Sequence, residues 1–567
     1  MRSSGGSQAV SDPPRHGGRG PVRRAARGWR ARTGPGAAWL AGAGAAFAVY
    51  LRLAQTRAVN SDGAAQALQA WDMLHGNPLL RGWTVSDVSF YTTELPQYAL
   101  VELLRGLRAD VVDIAAAMTY TLVVLLSALL AKGTATGRQA RPRVALAAGI
   151  LLAPQLGPGT NVLLSSPDHI GTSVPLLLAW LVLDRAGRRW YVPLVTSALL
   201  GLAEVADSIV LVAGIIPLAL VCAVRGARAA RAGARGDAVY ELALAGGALA
   251  AAEAARWTLR AVTAAGGFTV RPLSTQIAPF GEIIGHNLPA AGRCLLLLFG
   301  ASPAGAAAGE PAFFRAPHLA GAALALAGVA AAAVRLRRGG DLAGQVLLGA
   351  IAVNLGAFLV TERAVDLSSA REIAPVLPFA AALAARELAP ALARVRWRRG
   401  AAPAGAGVAP SGRLALAGPR LAGWLLVVVG AGYAAGLGLE LTAPAAAAQG
   451  APLTAWLRAH PLGGAGLGGY WQASVVTLAS GGMVAVRPVA DVGGAIRAHP
   501  GEVNGAWFDP RRAQARFVVL SPGDTGYPGY ADYRAVRATW GPPARVYHVG
   551  RYTVWYWPKN LLSAIRR

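Results

Sequence analysis

Negative charge is scarce in this sequence. Of its 567 residues only 28 are Asp or Glu, against 54 Lys and Arg, and charged residues together make up 14%. A soluble chain of average composition carries about 25%. With 54% hydrophobic residues, that shortage excludes an ordinary soluble domain. Lysine is nearly absent: Lys132 and Lys559 stand alone, so the net charge of +26 rests on arginine. The arginines do not gather on one face beside a soluble fold, as a nucleic-acid binder requires. They recur in short clusters between long apolar runs, the pattern of cytoplasmic loops. Cysteine is limited to Cys222 and Cys294, and no zinc spacing exists. Cys222 falls in an apolar run and Cys294 in a segment read as lying outside, which argues against a disulfide. A cleavable signal is also missing. The first apolar run starts near residue 37, behind a long Arg-rich tail, and reads as an uncleaved first helix. No internal repeat is present, and the Arg-for-Lys bias with abundant Ala and Gly points to a GC-rich genome.

What the sequence does have is long apolar runs. A bilayer span needs about 20 mainly apolar residues. Runs near 37–54, 114–131, 144–157, 170–183, 190–204, 208–224, 238–255, 319–334, 342–360, 373–386 and 421–441 fit, those near 144, 170 and 373 being short. With the N-terminus inside, the inside segments are 1–36, 132–143, 184–189, 225–237, 335–341 and 386–420. They hold 29 Lys and Arg against five acids, as the positive-inside rule asks. Such agreement supports an odd number of spans. The predicted fold is therefore mostly α, a polytopic transmembrane helix bundle of about 11 spans. Its N-terminus is inside, its C-terminus outside, and it carries a small C-terminal extracytoplasmic α/β domain.

Domain by domain, 1–36 is a disordered basic cytoplasmic tail and 37–441 the transmembrane part, with large outer loops at 55–113 and 256–318. Residues 442–567 form the extracytoplasmic domain, and the Ala-, Gly- and Pro-rich stretch 401–419 is a flexible linker. Segments 96–107 and 288–299 are amphipathic and expected at the membrane interface. In the last 125 or so residues, enough for a core of their own, strands are predicted at 474–478, 483–489, 517–520, 545–549 and 552–557, and a helix at 453–459.

The first outer loop holds the most chemistry. It runs Val59-Asn60-Ser61-Asp62-Gly63, then Trp71-Asp72-Met73-Leu74-His75-Gly76-Asn77-Pro78. A helix is predicted to begin here with Ser61 or Asp62 as its N-cap; capping alone is one reading of Asp62. The loop also resembles the first extracytoplasmic loop of the GT-C superfamily of membrane glycosyltransferases, which includes protein O-mannosyltransferases and the aminoarabinose transferases of lipid A. An acidic residue just past the first span, a Gly-x-Pro (Gly76-Asn77-Pro78) and the 96–107 helix follow in that family's order. Ser369-Ala370-Arg371-Glu372-Ile373-Ala374-Pro375 resembles the start of a late helix there, with Glu372 where Tyr is common. Many spans, a large first outer loop and a soluble C-terminal part complete the likeness.

The resemblance implies transfer of a sugar from a polyprenyl-phosphate carrier to a hydroxyl on a glycan, lipid or protein acceptor, at the outer face of the plasma membrane. Asp62 would be the base and Arg371 the cation for the donor phosphate. Asp168 and His169 are candidates for a second acid or, with Asp62, for a divalent cation (Mg or Mn); a cap on the next helix is the other reading of Asp168. Further substrate-binding candidates are Glu204, Asp207, Trp83, Tyr91 and His286, with Trp83 and Tyr91 also suited to interfacial anchoring. The tail's Tyr470-Trp471 and Tyr552…Trp555-Tyr556-Trp557 would pack its core or form a carbohydrate-binding face. Two other function classes stay open. A transporter or flippase would show repeats and polar groups near mid-membrane, and a non-catalytic envelope scaffold would tolerate loss of Asp62.

Overall fold

The structure is a computed structural model that describes residues 22–272, 275–303, 315–336, 339–397, 430–521 and 531–565. The expected linker 401–419 lies outside them. The chain divides at Ala46/Phe47 into a short N-terminal unit and one large unit. In the first, helix α1 (Val22–Ala54) begins well before the expected residue 37, in a stretch rich in Ala and Arg, both good helix formers.

Within the large unit the helices follow the apolar runs: α2 (Ser61–Leu74), α3 (Glu94–Arg105), α4 (Asp110–Lys132), α5 (Gly137–Leu151), α6 (Pro158–Leu163), α7 (Ser173–Arg185), α8 (Tyr191–Ala206), α9 (Ile216–Arg231) and α10 (Arg235–Ala264). Later helices span Leu288–Leu298, Ala316–Leu336, Leu342–Val360 and Val376–Trp397. Among the described residues six helical stretches are long and apolar enough to cross a membrane, or seven if the bent pair Leu367–Ile373 and Val376–Pro390 forms one span. Their axes meet at 58°, where Pro375 has no N–H to continue a helix. The four other expected spans are shorter or partly undescribed. α5 stops at Leu151 rather than near 157, because Pro154 and Pro158 follow. α7 and α8 have 13 and 16 residues, and of 421–441 only the part from residue 430 is described.

Small residues bring the helices together. A Cβ on Gly328 would lie 2.3 Å from the Cα of Ala384, so the Ala316–Leu336 and Val376–Trp397 helices touch backbone to backbone at that point. α3 is amphipathic as predicted. It buries Leu95, Tyr98 and Val101 and exposes Leu100, Leu103 and Leu104, the pattern of a helix lying in an interface.

Three distant pieces of chain share one small sheet of order β2-β1-β6. β1 (Trp83–Val85) comes from the first large loop, β2 (Thr269–Val270) from the second and β6 (Val503–Asn504) from the C-terminal segment. β1 runs parallel to β2 and antiparallel to β6. The remaining strands are β3 (Ala465–Gly468), β4 (Val486–Val492), β5 (Ala495–Ala498), β7 (Ala515–Leu520), β8 (Arg545–Val549) and β9 (Tyr552–Tyr556). They form a six-stranded sheet ordered β5-β4-β3-β7-β9-β8. One predicted strand is corrected: 474–478 lies in the helix Tyr470–Ala479. β3 and β4 are parallel, and parallel neighbours need a crossover connection, usually a helix. Tyr470 and Trp471 are therefore helical residues. The predicted helix in this segment is present at Ala451–Ala459.

Candidate functional site

Asp62 sits in the first turn of α2. The N-cap is Asn60, whose side chain accepts from the Gly63 N–H at 2.9 Å, which corrects the expected Ser61 or Asp62. With the capping position taken by its neighbour, the Asp62 carboxylate is free for another role. Its Oδ1 accepts from the Tyr470 hydroxyl at 2.5 Å, and Ser61 Oγ donates to the Tyr470 carbonyl at 2.6 Å.

α2 lies hard against the loop before α7. A Cβ on Gly63 would fall 2.7 Å from the Ser166 carbonyl oxygen and 2.6 Å from a Val112 methyl, so only glycine permits this approach. The same loop is held by Tyr98, whose hydroxyl donates to the Ser166 carbonyl at 2.8 Å. Arg57 Nε donates to the Leu164 carbonyl at 2.8 Å. These contacts bring Asp168 and His169 to the Asp110 end of α4.

His169 is a hub of charge. Its Nδ1 lies 2.7 Å from Asp207 Oδ2 and its Nε2 3.9 Å from Glu372 Oε2. Asp207, fully buried, also accepts from Thr172 Oγ1 at 2.5 Å and the Ile209 N–H at 3.0 Å. Burial alone would lower the His169 pKa, but Asp207, then Glu372 and Asp168, raise it to about 10. Burial works against the Asp207 carboxylate too, yet His169 and its hydrogen bonds hold it below the usual range. The imidazolium thus stabilises the fold fully below its unfolded value near 6.5, a contribution lost only as pH rises through about 10. Burial pushes Asp168 up to about 6, opposed by His169 and Arg371. Its Oδ1 accepts the His169 N–H at 2.7 Å.

Cations ring the second carboxylate of the cluster. Glu372 Oε1 is 3.8 Å from Arg363 Nη1 and 3.8 Å from Arg371 Nε, and Arg363 also reaches Asp87 at 3.7 Å. Arg371 is exposed and lies in the combined field of Asp168, Glu372, Asp62 and Asp87. Glu94 closes the cluster from below. Its Oε1 has no hydrogen-bond partner, and it presses so closely that a Cβ on Gly171 would meet it at 1.7 Å. Burial raises its pKa to about 8, so it is a neutral acid at pH 7.

Asp62, Asp168, His169, Asp207 and Arg371 are thus brought to one neighbourhood, with Glu204 on the last turns of α8 in the field of Asp207 and Arg256. The other candidates stand apart. Trp83 is 2% exposed, donates from Nε1 to Asp72 at 2.7 Å and packs edge-on to Trp507; its place is the core, which corrects the substrate-binding expectation. Tyr91 donates to the Pro78 carbonyl at 2.8 Å and packs on Phe268. His286 Nε2 lies 2.6 Å from the Ala364 carbonyl oxygen, tying the second loop to the segment before Arg371. Arg363, Glu372 and Tyr470 join the site without having been singled out for it by the sequence. Glu372 was visible as a departure from the family pattern; Arg363 and the Tyr470 contact had no local signal.

The metal expectation is not supported by the donor set. Both ring nitrogens of His169 already face carboxylates, Nδ1 that of Asp207 and Nε2 that of Glu372. Among the described residues no group of three or more His, Cys, Asp or Glu is gathered as a metal site. A cavity of about 270 Å³ exists elsewhere, lined by Arg143, Arg335, Asp341, Gln345, Arg386 and Glu387. Arg386 donates to the Leu130 carbonyl at 2.8 Å, so this cavity is at the Lys132 end of α4, about 30 Å along that helix from Asp62's neighbour Val112.

No family model matches the chain, and neither does any curated protein. Among solved structures it is similar to ArnT from Cupriavidus metallidurans in the apo state, with a TM-score of 0.54 and 15% identity over 95% of this chain and 100% of that one. The Archaeoglobus fulgidus oligosaccharyltransferase, in a complex with Zn and sulfate, matches at a TM-score of 0.44 and 14% identity over 82% of this chain and 64% of that one, too slight a likeness to build on. The likeness extends over nearly the whole of both chains and shows that this protein has the fold of ArnT.

Proposed function

We propose that this chain is a membrane glycosyltransferase that moves a sugar from a polyprenyl-phosphate donor to a hydroxyl acceptor at the outer face, with Asp62 as base. The observation that carries the reading is that a half-buried carboxylate, Asp62, lies within the electrostatic reach of the exposed guanidinium of Arg371 at one end of the α4 helix. The acceptor oxygen bonds to the anomeric carbon as the bond from that carbon to the phosphate oxygen breaks. The acceptor proton passes to Asp62, and the bonding pair leaves with the lipid phosphate, whose charge Arg371 and Arg363 face. A carrier lipid keeps its phosphate at headgroup depth, so a site at a helix end suits it. The test is transfer of label from a panel of radiolabelled polyprenyl-phosphate hexoses and pentoses in membranes containing the protein. Transfer above membranes lacking it is expected; none with the full panel would count against the reading.

A transporter finds one feature in its favour, the 58° break before Val376, since broken helices line transport paths. The charges at that break belong to the Asp62 cluster at the helix end, which favours chemistry there over passage.

The reading requires the Asp62 end to face outward and the arginine-rich end inward. Ala230→Cys, in a background with Cys222 and Cys294 replaced by serine, is expected to react with a membrane-impermeant maleimide only after permeabilisation. Ala495→Cys in the C-terminal segment should react in intact cells. Labelling of residue 230 in intact cells would overturn the topology.

A further inference from the structure

We propose that Tyr470 is a positioning residue for Asp62, so that the C-terminal segment completes the site begun by the first loop. The proposal rests on the reading of Asp62 as the base. Two hydrogen bonds run in opposite directions between neighbouring residues. Tyr470 donates its hydroxyl to Asp62 Oδ1, and Ser61 donates to the Tyr470 carbonyl. The ring is fixed on both sides. It stacks on His499 at 4.5 Å with 17° between planes, and meets Trp471 edge-on at 5.1 Å. Only 8% of Tyr470 is exposed. His499 is itself anchored, its Nδ1 2.6 Å from the Gly501 carbonyl oxygen.

The helix that begins with Tyr470 packs along α2, with Val475 and Leu478 in one apolar cluster with Ala64, Ala67 and Leu68. A second tie lies a few turns along α2. Gln69 donates to Glu502, which also accepts the Ser86 N–H at 3.0 Å. The phenol is a permanent donor, because burial and the nearby Asp62 and Glu502 charges push its pKa well above the ordinary value. With Oδ1 engaged, Oδ2 has no protein donor among the described residues and is the oxygen left to take the acceptor proton. A carboxylate freed from Tyr470 would turn about its last bond, and a base out of line loses rate without losing substrate affinity.

Tyr470→Phe keeps the ring, the His499 stack and the bond from Ser61 to the main chain, and removes one hydroxyl. The probe is the donor that the membrane assay identifies from the polyprenyl-phosphate sugar panel. The expected result is a kcat about tenfold lower, a donor KM within twofold, and thermal unfolding in detergent unchanged. In an Asp62→Asn background the same change is expected to add no further loss, because Tyr470 acts through the carboxylate. A wild-type kcat in Tyr470→Phe, while Asp62→Asn loses transfer, would overturn the proposal and leave the base in place. A raised KM at unchanged kcat would make Tyr470 a substrate contact and overturn it as well, as would losses that multiply in the double variant. Full transfer by Asp62→Asn would remove the base and the positioning role together.

Discussion

Asp62→Ala is expected to lower sugar transfer by about 10²–10⁴-fold, the usual contribution of a general base. The protein should still fold. Asp62 is not the cap of α2, since Asn60 supplies that bond. Removing the carboxylate frees the Tyr470 hydroxyl, but the Ser61 bond and the His499 stack remain to hold the ring. Expression and melting should therefore stay near wild type while turnover collapses. Asp62→Glu should recover only part of the rate, because one more methylene moves the oxygens out of line with the acceptor. Equal transfer by Asp62→Ala and wild type at equal expression would return Asp62 to a structural role and shift weight to the scaffold reading.

The largest stability loss is expected from Arg386→Ala. The Arg386 guanidinium is 9% exposed and binds Asp184 Oδ1 at 2.7 Å, Asp341, and the Leu130 carbonyl at 2.8 Å. Three segments of chain thus meet on one side chain. Asp184 is 7% exposed, and its Oδ2 has no other partner. Without the arginine Asp184 is left with the field of Arg143, and removing one partner of a buried pair costs about 3–5 kcal/mol. A clearly lowered thermal midpoint in detergent is the expected measurement. Lysine should restore little, since one shorter-reaching ammonium nitrogen cannot span the acceptors that Arg386 meets from two separate guanidinium nitrogens. Alanine at both 184 and 386 should melt above Arg386→Ala alone, because the orphaned charge is then gone. An Arg386→Ala protein that melts with wild type would show that water already reaches this end of the helices.

Much of the arrangement is legible in the sequence, for local reasons. Apolar runs gave the six long spanning helices, and alternation of leucines with polar residues gave the amphipathic α3. Asp62 stood out because an acid followed directly on the first apolar run. The misreadings also have local causes. Ser474-Val475-Val476-Thr477-Leu478 is rich in β-branched residues and looks like a strand, but the parallel pairing of β3 with β4 requires a helix between them. Asn60, Ser61 and Asp62 are all good caps, and only backbone geometry selects Asn60, which has extended dihedrals. The contacts that organise the site are long-range. Tyr470 meets Asp62 across 408 positions, and His169, Asp207 and Glu372 come together from three separate segments. No short pattern encodes such meetings in one chain read alone.

The small sheet that joins both large loops to the C-terminal segment bears on how the protein is made. Its β1 pairs with β6, Trp83 opposite Asn504, so one edge of the sheet waits until residue 504 has been synthesised. Loop closure over such a separation is slow to be rewarded. The spans emerge and insert first, and the partner of the earliest loop is delivered after them. A ribosome that stops before residue 470 would leave inserted helices with an unpaired β1 edge and an Asp62 without its tyrosine. Translation past residue 470 thus becomes a condition for bringing Tyr470 to Asp62, and past residue 504 for pairing the first loop.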